Sequence, residues 1–309
     1  MNGILIVDKP AGPTSHDVIS RVRKILQQRS VGHLGTLDPL ATGVLPLVVG
    51  NFTRLAQFYL SSEKRYAGVM RFGFATDTYD AEGEASGPQT TVCLSSESVE
   101  AIAGRFRGVL EQMPPPFSAK KIAGVPAYKL ARRKQDVPLK PVKVEIKELE
   151  ILNVEGGRVR FRARVTAGTY IRSLAHDMGQ VLGCGAHLES LQRTASGEFA
   201  LADAHKLEEL DAAQKAGQSE ELFIHPRKVL PQFPCVTANE EAVAHIRNGR
   251  AVNLPEFSAA RMVKVFCGQR ELVAIVRRVA GTLFHPEIVL AAAPTPSLTK
   301  EPASQNTNG

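Results

Sequence analysis

One acidic residue, Asp38, lies in a loop of unusual composition. The stretch "VGHLGTLDPLATGVLPLVVG", residues 31–50, ends in an apolar run rich in Val and Leu, which is typical of a buried strand. The loop before that strand surrounds Asp38 with glycines, a histidine and Pro39. Asp-Pro is a common turn pair, so one interpretation of Asp38 is a turn former. The other interpretation is a carboxylate presented for chemistry at the edge of the core.

Asp38 has few competitors as a nucleophile. No second acid lies near it in sequence to form an acid–base pair, and no Ser-His or Cys-His arrangement is recognisable. The four cysteines are scattered, which argues against a zinc site or a disulfide framework and favours a reducing compartment. A solitary carboxylate in a partly dry site needs a cation to remain ionised. Arg172, in "GTYIRSL", is the candidate cation, although an ordinary salt bridge also explains it.

The elements that must position these residues follow from periodicity. "GILIV" predicts a first strand, and "DVISRVRKILQQ" predicts a helix that begins with a capping box of Thr14 and Asp17. "NFTRLAQFYLSSEK" predicts a second helix, capped by Asn51, and "RYAGVMRFGFATDTYD" predicts a strand. "PVKVEIKELEILNV" and "RVRFRARVTA" predict a hairpin turned by "EGGR". "GTYIRSLAHDMGQVLG" predicts a helix that ends at Gly183.

Positive charge is concentrated in two stretches of the chain. The 309 residues carry a formal net charge of +7, which suits a nucleic-acid partner but is also common among soluble proteins. Arginines 158, 160, 162 and 164 share one strand face, which is either a solvated outer face or a phosphate-tracking surface. Residues 114–141 combine Lys and Arg with Phe117 and Tyr128, which can stack on bases. This segment predicts an RNA-binding excursion, with a solvent-facing loop as the alternative.

The composition changes near residue 231. Residues 231–293 predict a small β-rich unit, because a short helix and a glycine turn precede the hairpin "MVKVFCGQRELVAIVRRV". Residues 294–309 have almost no apolar side chain and predict a disordered tail. The N-terminus has an acid and a proline too early for a secretory signal, and no apolar run approaches the ~20 residues that span a bilayer. We therefore expect a cytoplasmic protein with no membrane partner.

Five blocks of the sequence form one recognisable pattern. The blocks are "DKPAGPTSHDV", "VGHLGTLDPLATGVLPLVVG", "KRYAGVMRFGFATDTYDAEG", "PPPFSAKKIAGVPAYKLAR" and "GTYIRSLAHDMGQVLGCGAHLESLQRTASG". Together they resemble the TruB family of tRNA pseudouridine synthases, from residue 2 to about 200. The resemblance implies an α+β chain with the pseudouridine synthase fold over 1–230, a mixed, mainly antiparallel central sheet with flanking helices. Residues 231–293 resemble a PUA-like RNA-binding domain, and 114–141 corresponds to the family's RNA-gripping insertion.

The resemblance implies an isomerase that converts one uridine in the T loop of tRNA, conventionally position 55, to pseudouridine without cofactor or metal. The bond from ribose C1′ to the uracil nitrogen must break, and C1′ must rejoin at uracil C5. Asp38 resembles the catalytic aspartate, which either attacks the sugar or removes a sugar proton to give a glycal. Arg172 resembles the arginine that pairs with it. Tyr66 resembles the tyrosine that stacks on the target base and helps remove the C5 proton.

Further residues match the family's substrate-binding positions. The target base must be flipped out of the folded loop, at a cost of roughly a few kcal/mol, and His33 resembles the residue that fills the vacated space. Tyr170 and Leu191 match positions that line the uracil pocket. Lys9 matches a motif beside the cleft, as a supporting or phosphate-binding group, and Asp80 is expected to organise the site. The expected partner is the T stem-loop of tRNA, bound by a monomer without a guide RNA.

Two rival functions remain open. The first is a dyskerin-like synthase that is directed by a guide RNA within a larger complex. The 114–141 insertion argues against it, because the bacterial type carries this insertion. The second rival is a non-catalytic RNA-binding or tRNA-folding protein on the same scaffold, and the presence of Asp38, Tyr66 and Arg172 argues against that one.

Overall fold

The chain divides into two compact units, Met1–Leu230 and a second unit that begins at Pro231. The computed structural model describes residues 1–118, 121–122, 125–126 and 139–290. Most of the predicted basic insertion, with Tyr128, lies outside the described residues, as does the predicted tail.

The first unit is built around one large sheet. The strands of this sheet are β1 (Gly3–Lys9), β2 (Val31–His33), β3 (Thr42–Val49), β4 (Lys64–Phe72), β5 (Gly108–Gln112), β8 (Val142–Glu155), β9 (Arg158–Val165), β10 (Ala186–Ser196) and β11 (Phe199–Ala200). Two short strands, β6 (Lys121–Ile122) and β7 (Val125–Pro126), pair with each other in a separate sheet. The α-helices of the first unit are α1 (Ser15–Ile25), α2 (Ser96–Phe106), α3 (Ile171–Leu182) and α4 (Leu207–Lys215).

The strand order of the large sheet is β1-β3-β10-β4-β9-β8-β5. All neighbours in this order are antiparallel except β3 and β10, which run parallel. The predicted mixed, mainly antiparallel sheet with flanking helices is therefore confirmed. Helices α1, α2 and α3 each bury an apolar face, and their buried residues belong to the same core as those of the sheet.

Local sequence signals placed several boundaries correctly. Helix α1 begins with the predicted capping box, because Thr14 accepts from the Asp17 amide and Asp17 accepts from the Thr14 amide. Helix α3 ends where Gly183 adopts φ 74°, a left-handed conformation that glycine takes without strain. The β8–β9 hairpin turns at Gly156 and Gly157, both at positive φ.

Two local predictions were wrong. The segment Gly50–Tyr59 is a 3₁₀ helix that begins after Val49, so Asn51 lies inside it and does not cap it. The side chain of Asn2 accepts from the Asn51 amide and ties this start to the N-terminus of the chain, a contact that no local pattern reveals. The strand predicted from Tyr66 onward ends at Phe72, because Gly73 has φ 111° and turns the chain away.

The parallel pairing leaves an opening in the sheet. β10 pairs with β3 only at Thr42 and Gly43, while β2 pairs with the far end of β3. The loop that carries Asp38 joins β2 to β3, and so it lies at this opening. The amide of Leu34 donates to the carbonyl of Pro46 and holds the loop there.

The second unit is a small β-rich body with its own core. Its strands are β12 (Cys235–Thr237), β13 (Val252–Asn253), β14 (Met262–Cys267), β15 (Glu271–Ala280) and β16 (Leu283–Val289), and its helix is α5 (Glu240–Arg247). The strand order is β12-β14-β15-β16-β13, and Val243 and Ile246 of α5 pack on this sheet. Across the described parts of both units, no helix has the length and hydropathy that a membrane span requires.

Candidate active site

Asp38 and Arg172 form an ion pair although 134 residues separate them in sequence. The Arg172 Nε donates to one carboxylate oxygen of Asp38 and Nη2 donates to the other, both at 2.9 Å. This two-point contact fixes the plane of the carboxylate as well as its position. The Arg172 side chain is 5% exposed and that of Asp38 is 37% exposed. The arginine is therefore part of the core, whereas the carboxylate faces an open space.

Other groups lock Arg172 in place. Its Nη1 donates to the carbonyl of Thr78 at 3.0 Å, and its Nη2 also donates to the carbonyl of Phe117 at 3.0 Å. Asp80 is buried, and its carboxylate lies 3.5 Å from Nη1. Asp80 is itself held by the Thr78 hydroxyl at 2.6 Å and by the amide of Glu82. A fully bonded guanidinium has one orientation, so Asp38 is held against a rigid partner.

Two further buried cations hold the backbone around Asp38. The Lys9 Nζ donates to the carbonyls of Pro10, Pro39 and Ala41, so it supports the turn that follows Asp38. Burial lowers the pKa of Lys9 to about 8, although Asp38 and Glu82 oppose that shift. Arg193 donates to the carbonyls of Gly35 and Thr36, which precede Asp38, and to that of Val44 on β3.

Gly43 shows how closely the backbones approach at this site. It has φ 95°, and a Cβ added there would lie 2.3 Å from the carbonyl oxygen of Arg193. Only glycine fits this position, since the contact is with backbone that cannot move aside.

A cavity of about 460 Å³ opens in front of the Asp38 carboxylate. Its lining includes Tyr66, Tyr170 and Leu191, together with Asp38 and Arg172. The size and the aromatic and aliphatic walls suit a planar organic ring, and the carboxylate supplies the reactive group.

Each of these wall residues is placed by a regular element. Tyr66 lies on β4 opposite Arg193 of β10, and Leu191 lies on β10 opposite Gly68 of β4. Tyr170 precedes α3, and Gln112 holds it by donating to its carbonyl and accepting from its amide. Burial raises the pKa of the Tyr170 hydroxyl.

His33 lies at the end of β2 and lines this cavity as well as a second one on the other side of Asp38. Its Nδ1 accepts from the amide of Gly35 at 3.2 Å. Burial, then the charge of Arg193 and of His16, lower the pKa of His33, so its ring is neutral at pH 7. The structure thus groups the predicted site residues around Asp38: Lys9 holds the backbone beside it, and Asp80 lines the second cavity.

The arginine face of β9 is largely ion-paired. Arg158 contacts Glu189 at 2.8 Å, and Arg164 contacts Glu148 at 2.7 Å. Arg162 lies 3.8 Å from Glu150. Since acids on β8 and β10 neutralise most of this charge, the structure favours the solvated-face interpretation over a phosphate-tracking surface.

Sequence analysis missed Lys64 and Arg193, which are buried and line the cavity. One signal was available for each of them. Lys64 precedes Tyr66 by two residues on β4, and Arg193 follows Leu191 by two residues on β10, so each shares a strand face with a predicted pocket residue.

Comparison with known proteins shows to which family this chain belongs. The sequence model described as TruB family pseudouridylate synthase (N terminal domain) matches residues 23–171, and the model described as tRNA pseudouridylate synthase B C-terminal domain matches residues 172–231. A protein named tRNA pseudouridine synthase B from Solibacter usitatus is 47% identical over 94% of this chain and 100% of its own length. The chain belongs to the TruB family.

Other TruB relatives agree with this placement. The protein of the same name from Clostridioides difficile is 40% identical over 83% of this chain and 86% of its own length. Among solved structures, a Cbf5-Nop10-Gar1 complex contains a chain that superposes with a TM-score of 0.69 at 28% identity, covering 94% of this chain and 85% of that one. The structure of an H/ACA RNP bound to a substrate RNA containing 2′-deoxyuridine gives the same TM-score at 27% identity, with the same coverage of both chains.

The two TruB sequence matches meet inside the site. Asp38 lies in the first match, and Arg172 is the first residue of the second. The matches end at residue 231, so the PUA-like character of residues 231–293 stays a prediction.

Proposed function

We propose that this protein isomerises a uridine of tRNA to pseudouridine, at position 55 of the T loop. The observation that carries the proposal is the Asp38 carboxylate, which buried Arg172 fixes by two hydrogen bonds and which faces a cavity sized for a nucleobase. The relatives named tRNA pseudouridine synthase B support the substrate class.

Asp38 is the residue proposed to act on the sugar. One of its oxygens either attacks ribose C1′ or takes a proton from the neighbouring carbon, and in both routes the bond from C1′ to the uracil nitrogen breaks. The electron pair of that bond stays on the detached uracil, which rotates and presents C5 to C1′. The bond from C5 to C1′ then forms. In the first route the bond between C1′ and the Asp38 oxygen breaks at this step, and in the second route protonated Asp38 returns its proton to the neighbouring sugar carbon, so both routes restore the carboxylate. A base removes the proton from C5, and the ring nitrogen that left the sugar takes up a proton.

Arg172 and Tyr66 are proposed to serve this sequence in different ways. The positive charge of Arg172 keeps Asp38 ionised. Its guanidinium is also fixed by hydrogen bonds to the protein, so it holds the carboxylate in one orientation. Tyr66 is proposed to stack on the base, and its position at the cavity wall also allows it to assist removal of the C5 proton.

Tyr170, Leu191 and His33 are proposed to bind the flipped nucleotide and the loop it leaves. Tyr170 and Leu191 supply cavity wall for the ring, while neutral His33 fills the vacated place in the RNA without a charge to desolvate. Lys9 and Asp80 are proposed to support the site rather than touch the RNA, since Lys9 is bonded to three carbonyls and Asp80 is buried against Arg172.

Activity of the purified protein on an unmodified tRNA transcript tests the proposal. We expect conversion of the T-loop uridine without added RNA or cofactor, and we expect Asp38→Asn to lower kcat by several orders of magnitude while tRNA still binds. Asp211→Asn is the matched control, since this partly exposed acid lies outside the cavity and pairs with Lys215 on α4.

Three outcomes of this experiment separate the candidates. A fully active Asp38→Asn variant contradicts the mechanism. Activity that appears only with a guide RNA supports the dyskerin-like alternative, for which the structural similarity to the Cbf5 complex is the specific observation. Tight tRNA binding without turnover supports the non-catalytic alternative.

A further inference from the structure

The cavity in front of Asp38 has a positively charged wall that the proposed chemistry does not use. Lys64 and Arg193 both line it, and they are 8% and 1% exposed. Neither forms an ion pair with a carboxylate in the described part of the chain. The ion pair of Asp38 with Arg172 lines the same cavity.

The two cations differ in how they are bonded. Arg193 is committed to the protein, since its guanidinium donates to the carbonyls of Gly35, Thr36 and Val44. The Lys64 Nζ donates to the carbonyl of Ser62 at 2.5 Å, and this is its one hydrogen bond to a described residue. An ammonium has three donors, so two of them remain for a ligand.

Lys64 is held in an unfavourable position in the free protein. Burial, with a further contribution from Arg193, lowers its pKa to about 8. The Lys64 Cε and the Arg193 Nη1 each lie 3.6 Å from the place where a Cβ of Gly35 would stand, so the two cations flank the same glycine. A buried cation beside another cation is stabilised by an anion, and the protein itself supplies none at this wall.

We propose that Lys64, supported by the charge of Arg193, binds a phosphodiester group of the substrate RNA beside the flipped nucleotide. This proposal rests on the proposed function, because it takes the base to lie against Tyr66. Lys64 and Tyr66 are two residues apart on one face of β4, about 7 Å along the strand. The phosphate is drawn to the positive wall and repelled by the Asp38 carboxylate, which orients the sugar between them.

Binding and single-turnover measurements with neutral phosphate analogues test this contact. A T-arm stem-loop RNA is prepared with a single methylphosphonate at each position around the target uridine in turn. Wild-type protein is compared with Lys64→Met, which keeps length without charge, and with Lys64→Arg, which keeps charge. Lys147→Met is the matched control, because that lysine is exposed and pairs with Glu63.

We expect Lys64→Met to raise Kd for the unmodified RNA roughly ten- to hundredfold, with a change of only a few fold in the single-turnover rate at saturation. The slope of log Kd against log salt should fall by about 0.7, the value for one phosphate of a single strand. One methylphosphonate should weaken wild-type binding by the same factor and have no further effect on Lys64→Met. Lys64→Arg should retain the sensitivity at that position, and Lys147→Met should bind within about twofold of wild type.

The proposal is overturned if Lys64→Met binds like wild type, or if every methylphosphonate affects the two proteins equally. Circular dichroism and thermal melts establish that the variants are folded. If Lys64→Met is unfolded, the methylphosphonate series measured with wild type and Lys64→Arg still locates the contact. Because Kd is measured without turnover, a wild-type protein that binds in this way but makes no pseudouridine contradicts the proposed function and leaves the phosphate contact standing.

Discussion

At the scale of single residues, the site depends on how each charge is compensated. Asp38 is balanced by Arg172, and Arg172 is balanced again by Asp80 and two carbonyls. Lys64 and Arg193, by contrast, are buried without an acid among the described residues. The same cavity therefore holds one preorganised pair and one positive wall that an anion stabilises, and single substitutions distinguish the two arrangements.

Arg172→Lys tests the preorganised pair. A lysine keeps the charge but cannot donate to both oxygens of Asp38 in one plane. We expect kcat to fall roughly ten- to hundredfold with KM nearly unchanged, as measured by steady-state pseudouridine formation. Arg172→Met should instead destabilise the fold by about 3–5 kcal/mol, since it leaves Asp80 buried without its cation. Equal kcat for wild type and Arg172→Lys would show that the two-point contact is dispensable.

Lys64→Met tests the cost of the positive wall in the free protein. The pKa of Lys64 is about 8 in the folded state, against an ordinary value of 10.5 in the unfolded chain. Between these pH values the unfolded state binds more protons, so wild-type stability rises with pH there. We expect Lys64→Met to have the higher Tm at pH 7, by roughly a few degrees, with the difference shrinking towards pH 10. A Tm difference that does not change with pH argues that Lys64 is not strained by its charge.

At the scale of elements, the site is held where α3 meets the turn that contains Tyr79. Arg172 is in the first turn of α3, and His176 is one turn further along the same helix. The rings of His176 and Tyr79 stack with centroids 3.7 Å apart and an interplanar angle of 13°. Tyr79 stands between Thr78 and Asp80, which both contact Arg172, and it adopts φ 64°. Packing thus keeps a non-glycine residue in a strained conformation that presents its neighbours to the arginine.

His176→Ala tests this connection between helix and turn. Loss of the stack should let the turn relax and loosen Arg172, so we expect kcat to fall about tenfold while Kd for tRNA changes little. His176→Phe preserves a ring at this position and should restore most of the activity, which a general loss of stability would not do. Burial lowers the pKa of His176, so the ring is neutral at pH 7 and its charge plays no part. Failure of phenylalanine to rescue alanine would contradict a positioning role.

At the scale of the whole molecule, the chain consists of two units with separate cores. All residues proposed for chemistry belong to the first unit, whose sheet is complete without residues beyond Leu230. The amide of Leu230 donates to Glu198, and Leu230 is buried, so the first unit includes this residue. The second unit is proposed to be a PUA-like domain that adds RNA-binding surface.

A chain that ends at Gln232 tests this division of labour, because it keeps Leu230 and its hydrogen bond to Glu198. We expect the shortened protein to fold, to keep kcat within a few fold, and to bind tRNA at least tenfold more weakly. Single-turnover rates and Kd for the same transcript measure the two effects separately. A proportional loss of rate and affinity would contradict a pure binding role for the second unit.

The sequence by itself determined the elements and the reactive loop. Capping residues, glycines at turns and apolar alternation are local signals, so α1, the β8–β9 hairpin and the end of α3 could be predicted. Five sequence blocks together predicted the family, Arg172 was a candidate cation from the residues themselves, and the resemblance added the role of Tyr66. A helix was predicted near Gly50–Tyr59, but its start was not, because a contact with Asn2, distant in sequence, holds the amide of Asn51.

Only the tertiary structure decided which charges meet. The pairing of β10 with both β3 and β4 brings Arg193 and Lys64 to the same cavity as the pair of Asp38 and Arg172. Burial gives these charges different roles, because a buried charge needs a partner of opposite sign. For Arg172 the fold provides that partner, whereas for Lys64 we propose that the RNA provides it. Lysines and arginines look alike in a sequence that carries 38 of them. A solvated arginine of β9 differs from buried Lys64 in its burial and in its neighbours. Both depend on contacts between residues that are distant in sequence.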